Sequence, residues 1–173
     1  MKKYVALSLL ILTSVGVVLN HVSLEPLDNS HVLNVDGVRW DVGGAVHEKL
    51  NTLTRQCEGV RRVTDVNDMD FSLLEAVREH SPPDSRSLTL RQLHSMRQWY
   101  LAEVSFETLQ PAVILLKKTG NTFEIQEGAV WSGPVDPWLP GPWIRRYLQS
   151  QAVTAPAQLW ACYDPSPGLF KSQ

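Results

Sequence analysis

The chain has 173 residues, with 16 basic and 18 acidic side chains, a formal charge of −2 and 43% apolar residues. That length suits one compact domain rather than two large ones, and the composition excludes collagen-like, coiled-coil and wholly disordered chains. The near-neutral balance argues against a dedicated nucleic-acid binder, which carries a basic patch. Two cysteines are too few for a disulfide scaffold or a four-cysteine zinc site.

Met1-Lys2-Lys3 precedes an apolar run from Tyr4 to Leu19. Two positive charges followed by such a run are the layout of an export signal. The lysines are expected to stay on the cytoplasmic side while the chain beyond Asn20 crosses. Without them the remainder carries a formal charge of −4. Cleavage and retention both stay open. Ser14-Val15-Gly16 comes nearest to the small-residue cleavage pattern but lies inside the run, and Asn20 to Ser23 fits it poorly. Tyr4 to Val22 counts nineteen residues, within the length of a spanning helix. Residues 1–23 therefore read as a signal peptide or a single signal-anchor helix. The remainder is placed on the periplasmic or extracellular side, soluble after cleavage or held in the inner membrane through residues 4–22.

Residues 24–31 read as a polar tether, residues 32–164 as one exported domain and residues 165–173 as a frayed tail. Asp36-Gly37 between alternating apolar residues predicts a β-hairpin, because both turn positions need positive φ. Gly43-Gly44 is expected to break the strand. Val46, Leu50, Leu53 and Cys57 then recur at helical spacing, predicting a helix from Ala45 to Glu58 that buries this stripe, with Gly59 at its C-terminus. Val60 to Val66 reads as a short strand. Asp68 to His80 reads as a second helix, with Ser72 and Glu75 at capping-box spacing, Phe71 stapled onto Ala76, and Leu73, Leu74 and Val77 buried. Ser81-Pro82-Pro83 ends it, since proline has no amide to continue the ladder.

The middle reads as an antiparallel meander of about four strands: Arg86 to His94, Arg97 to Phe106, Ala112 to Leu116 and Thr122 to Gln126. Tyr100, Ala102, Val104 and Phe106 share one face. Ala112 to Leu116 is apolar throughout, as in a strand covered on both sides. Gly141 and Pro142 open a further helix to Gln151. The elements together predict an α+β fold in which the meander packs against two or three helices.

Cys57 and Cys162 are expected to pair in an oxidising compartment. Asp65, Asn67, Asp68 and Asp70 resemble a calcium loop in composition, but Met69 and Asp70 stand where an EF-hand needs an oxygen ligand and a glycine, so a polar loop is expected. His47-Glu48 lacks the second histidine of a zinc helix, Asn51 standing in its place, and reads as a solvent-facing pair. Ser132 lacks the glycine two residues earlier that a nucleophile elbow requires. Glu124 and Glu127 form one of the chance carboxylate pairs that an acidic chain offers. No metal or cofactor is expected.

The least ordinary feature is the aromatic group Trp131, Trp138, Trp143 and Trp160 in a proline-rich stretch. Trp131, Trp138 and Trp143, with Arg145 and Arg146, are the candidate partner-binding residues, since rigid aromatics offer large contact area at low entropic cost. The competing reading makes the tryptophans a core over the sheet. The expected function is that of a small non-enzymatic domain binding a protein partner in the cell envelope, as an accessory subunit or an inhibitor. A carrier with an apolar pocket between sheet and helices, or an envelope hydrolase with a carboxylate pair, is the alternative.

Overall fold

A computed structural model describes residues 21–27, 30–63, 71–80 and 84–172. The expected export segment up to Asn20, the polar loop expected over Asp65 to Asp70 and the helix end expected at Ser81-Pro82-Pro83 lie outside the described residues. The fold is α+β with two antiparallel sheets. β1 (Val22–Leu27), β2 (Ser30–Val35) and β3 (Val38–Trp40) form a small sheet in that order. The large sheet is a five-stranded meander of β4 (Arg61–Val63), β5 (Thr89–Met96), β6 (Trp99–Ser105), β7 (Ala112–Thr119) and β8 (Thr122–Ser132). The helices are α1 (Val42–Thr54), α2 (Phe71–His80), α3 (Pro140–Gln151) and the single turn α4 (Ala157–Ala161).

The large sheet carries an apolar layer on each side. On one side Trp99, Leu101, Val113 and Leu115 meet Ile144 and Leu148 of α3, Leu159 and Trp160 of α4, and Tyr163 and Phe170 of the C-terminal segment. On the other, Ala102, Val104, Ile114, Leu116 and Phe123 meet Leu73, Leu74 and Val77 of α2. The alternation along β6 and β7 deals successive residues to the two layers, which is why the Ala112–Leu116 run contains no polar residue. The meander gains a fifth strand, β4, paired with β5. β8 runs on to Ser132, six residues past the expected end, through an irregularity opposite Ile114 and Leu116.

Four expectations are corrected. The tether expected over residues 24–31 carries β1, paired with β2 from Val22↔Val35 to Leu27↔Ser30. Ser23, Glu25, Asp28 and Asn29 make this segment polar in sequence, whereas the alternation that matters is Val22, Leu24 and Pro26. Phe71 does not staple α2: it is exposed, and Ser72 lies within the helix. The frayed tail is instead docked. Phe170 is buried, its carbonyl accepts from Val135 N–H at 3.0 Å, and Ser172 N–H donates to the Asp136 carboxylate.

The fourth correction concerns α1. It starts three residues earlier than expected, because Gly43 and Gly44 lie in its first turn. Asp41 caps it, accepting from Gly44 N–H at 2.7 Å. A Cβ on Gly44 would fall 2.0 Å from that carboxylate, so glycine here permits the cap. The helix ends at Thr54, and Cys57 lies beyond it, bonded to Cys162 with the Cα atoms 5.7 Å apart. The hairpin turn forms as expected, with Asp36 at φ 51° and Gly37 at φ 84°.

Candidate functional site

The stripe Val46, Leu50 and Leu53, joined by Val42, does not face the core. These four side chains are 49–69% exposed. The line turned toward the body is Gly44, Glu48 and Asn51. Asn51 Nδ2 donates to the Ala161 carbonyl at 2.9 Å, and Glu48 pairs with Arg145 of α3. The cause is electrostatic. Arg145 is buried, and a buried guanidinium without a carboxylate is strongly destabilising. Its Nη1 donates to the Tyr163 carbonyl at 2.7 Å and lies 3.3 Å from Asp164 Oδ1, leaving Nη2 for Glu48. A Cβ on Gly141 would sit 2.7 Å from Glu48 Oε2, so a glycine in the first turn of α3 gives that carboxylate its room. Asp41 adds a second tie, accepting from Leu139 N–H at 3.0 Å, and Arg55 a third, 2.6 Å from Asp164. With the polar line held inward, helical geometry sends the apolar stripe outward.

The small sheet also has one apolar and one polar face. Directly opposed residues share a face, so Leu24, Leu33 and Trp40 form one apolar row and Val22, Val35 and Val38 a second beside it. Leu24 is 69%, Val38 56% and Trp40 58% exposed. The opposite face holds buried Val32 and a polar cluster in which Glu25 accepts from Asn34 and from Arg39 Nε at 2.9 Å. Those two bonds hold the Glu25 carboxyl below its usual range. Trp40, Asp41 and Val42 join the two exposed surfaces in sequence.

Of the residues expected to bind a partner, Trp138 and Arg145 are buried. Trp138 is 6% exposed and stacks on Trp143 with ring centroids 4.8 Å apart. Trp143 and Tyr147 pack edge-on against Trp131 at 6.4 and 5.1 Å, and Tyr147 Oη donates to the Gly128 carbonyl at 2.9 Å. Trp131, Trp143 and Tyr147 are half-buried, and together these rings fasten α3 to β8. Trp160 is buried in the same layer. Of the two arginines, Arg145 is the buried tie just described, and Arg146 is exposed. Burial of Trp138 and Arg145 removes both from any surface that a partner could reach. Arg146 lines a 430 Å³ depression with His47, Asn51 and Gln149 between α1 and α3.

The buried carboxylate that sequence reasoning missed is Glu103. It is fully buried on β6 and accepts from Tyr163 Oη at 2.6 Å, Gln92 Nε2 at 2.9 Å and Ser166 N–H at 3.0 Å. Its signal was a charge between Ala102 and Val104 in a strand with two covered faces. Burial and the neighbouring Glu103 carboxylate push the Tyr163 phenol well above its usual value. His94, also buried, meets the Tyr163 ring edge-on at 5.9 Å. Desolvation and the nearby Arg62 charge lower its pKa, with Asp164 and Glu103 opposing. This network fastens the C-terminal segment to the large sheet.

Glu124 and Glu127 are exposed on β8, Ser132 is exposed at its end, and His47 is exposed, while Glu48 faces Arg145 rather than His47. No group of three or more potential metal ligands occurs among the described residues. Beside α2 a groove of 520 Å³ is lined by Val77, Phe106, Leu109, Ile114 and Val130, with His80 at its edge. Among the described residues no helix is long and apolar enough to cross a membrane. No protein family, no curated protein and no solved structure matches this chain.

Proposed function

We propose that the chain is a small exported domain, anchored by its N-terminal segment, that binds a protein partner in the cell envelope without catalysing a reaction. The observation that carries this reading is the outward stripe Val42, Val46, Leu50 and Leu53. Its spacing of four, four and three is the anchor pattern of a helix received by an apolar groove, and the stripe extends over about 16 Å. Covering each of these half-exposed side chains is worth on the order of 1 kcal/mol. The partner is accordingly one that offers an apolar groove or a matching helix, as an accessory subunit or an inhibitor's target does. The binding surface moves from the tryptophan-rich region to α1. Export is supported by the Cys57–Cys162 pair at bonding distance, since disulfides persist in oxidising compartments.

A photo-cross-linking residue at position 50, introduced into the full chain in its own cells, tests this. The expected result is one discrete protein adduct, absent when the cross-linker stands at Gln149 on the exposed side of α3. Equal or diffuse labelling at both positions contradicts the proposal.

The groove beside α2 favours a second reading, a carrier of a small apolar ligand. Its test is displacement of an environment-sensitive fatty-acid probe. Saturable binding abolished by Leu109→Glu, at the exposed rim of the groove, supports it, and retained binding in that variant contradicts it.

A further inference from the structure

We infer that the apolar face of the β1–β3 sheet rests on the bilayer entered by the N-terminal segment, so that the folded domain lies against the lipid surface through its own side chains. The inference builds on the export half of the proposed function and concerns a different surface from the α1 stripe.

Three observations lead to it. First, no tether separates the apolar run from the fold. The run ends at Leu19 and β1 begins at Val22, so the two are at most about 10 Å apart along an extended backbone. A retained anchor thus brings the small sheet to headgroup level. Second, β1 argues for retention. Asp36 N–H donates to the His21 carbonyl at 3.0 Å, the His21 ring lies 2.5 Å from the Asp36 carboxylate, and Val22 pairs with Val35. Cleavage near Ser23 would cut into that pairing, and cleavage at Ser14 to Gly16 would leave an apolar stub ahead of it. Third, the face presented has the chemistry of a membrane interface. Its two rows are Leu24, Leu33, Trp40 and Val22, Val35, Val38, with no charge among them, and the charged pairs lie on the other face. Tryptophan is favoured where hydrocarbon meets headgroups, and apolar faces of peripheral elements sink roughly 5–10 Å into that boundary.

The chain supplies its own reporter. Of its six tryptophans, Trp99, Trp138 and Trp160 are buried, Trp131 of β8 and Trp143 of α3 are half-buried, and Trp40 is exposed. The experiment uses the full chain reconstituted in phosphatidylcholine and phosphatidylglycerol vesicles, with and without lipids brominated at shallow acyl positions. The expected result is bromolipid quenching of tryptophan emission that is lost in Trp40→Phe and reduced in Leu24→Gln. Far-ultraviolet circular dichroism, read alongside, should stay unchanged in both variants. Quenching that is absent, or equal in the native chain and Trp40→Phe, overturns the inference. Copy-to-copy cross-linking through position 40 in place of quenching overturns it too, by assigning the face to a second copy. Flotation of the same vesicles separates the failures. A chain that floats without quenching keeps its anchor and loses only this contact. A chain that does not float loses both.

Discussion

The two sheets of this protein treat their apolar residues in opposite ways. The five-stranded sheet is roofed on both sides, and its central strands β6 and β7 are buried almost throughout. α1 turns its polar side toward the rest of the protein and its apolar side outward, and the three-stranded sheet leaves Leu24, Val38 and Trp40 exposed. The difference teaches that apolar spacing identifies a face without saying which way it points. Orientation is decided by the costliest group to leave unsatisfied. For α1 that group is Arg145 of α3, whose buried charge draws Glu48 inward and so sends Val46, Leu50 and Leu53 out.

The comparison can be broken most forcefully at the large sheet. Leu115 is fully buried on β7, and Leu115→Ala should cost about 2–5 kcal/mol, read from urea unfolding. A cost near zero would mean that this layer is not the stabilising core. Next comes the Cys57–Cys162 bond, which closes a sequence separation of 105 residues and ties the end of α1 to α4. Reduction should lower stability by about 2–4 kcal/mol. Intact mass should rise by two hydrogen atoms on reduction, and no change in mass would show that the bond is not formed.

A smaller effect is acid sensitivity through His94. Burial and Arg62 hold its pKa in the folded protein below the unfolded value of about 6.5. Below that pH the unfolded chain takes up a proton that the folded chain refuses, so stability falls as the pH drops from about 6.5 toward the lowered pKa. The urea midpoint should therefore decline over that window and decline less in His94→Gln. Identical profiles would remove His94 as the cause.

Much of the fold could be read from the sequence. The Asp36-Gly37 turn, the Leu73, Leu74 and Val77 stripe, the doubly covered Ala112–Leu116 strand and the Pro-initiated α3 all follow from local rules, which suffice where burial and propensity agree, and the cysteine pair follows from there being two cysteines in a chain expected to be exported. The candidate site was much less legible. Trp138 and Trp143 looked like a recognition surface because aromatic content does not reveal stacking, and the two rings cover each other in the structure. Glu103 and Arg145 found their partners far along the chain, in Tyr163, Ser166 and Glu48. No local pattern announces such pairings. β1 went unread because its polar residues fall on the face away from Leu24.

The most direct measurement is the urea midpoint of the full chain carrying Val46→Ser together with Leu50→Ser. If the outward stripe serves docking rather than folding, the two changes together cost no more than about 1 kcal/mol, as exposed substitutions do, while cross-linking from position 53 to the partner is lost. A loss of stability on the scale of Leu115→Ala would contradict this and make the stripe part of the core.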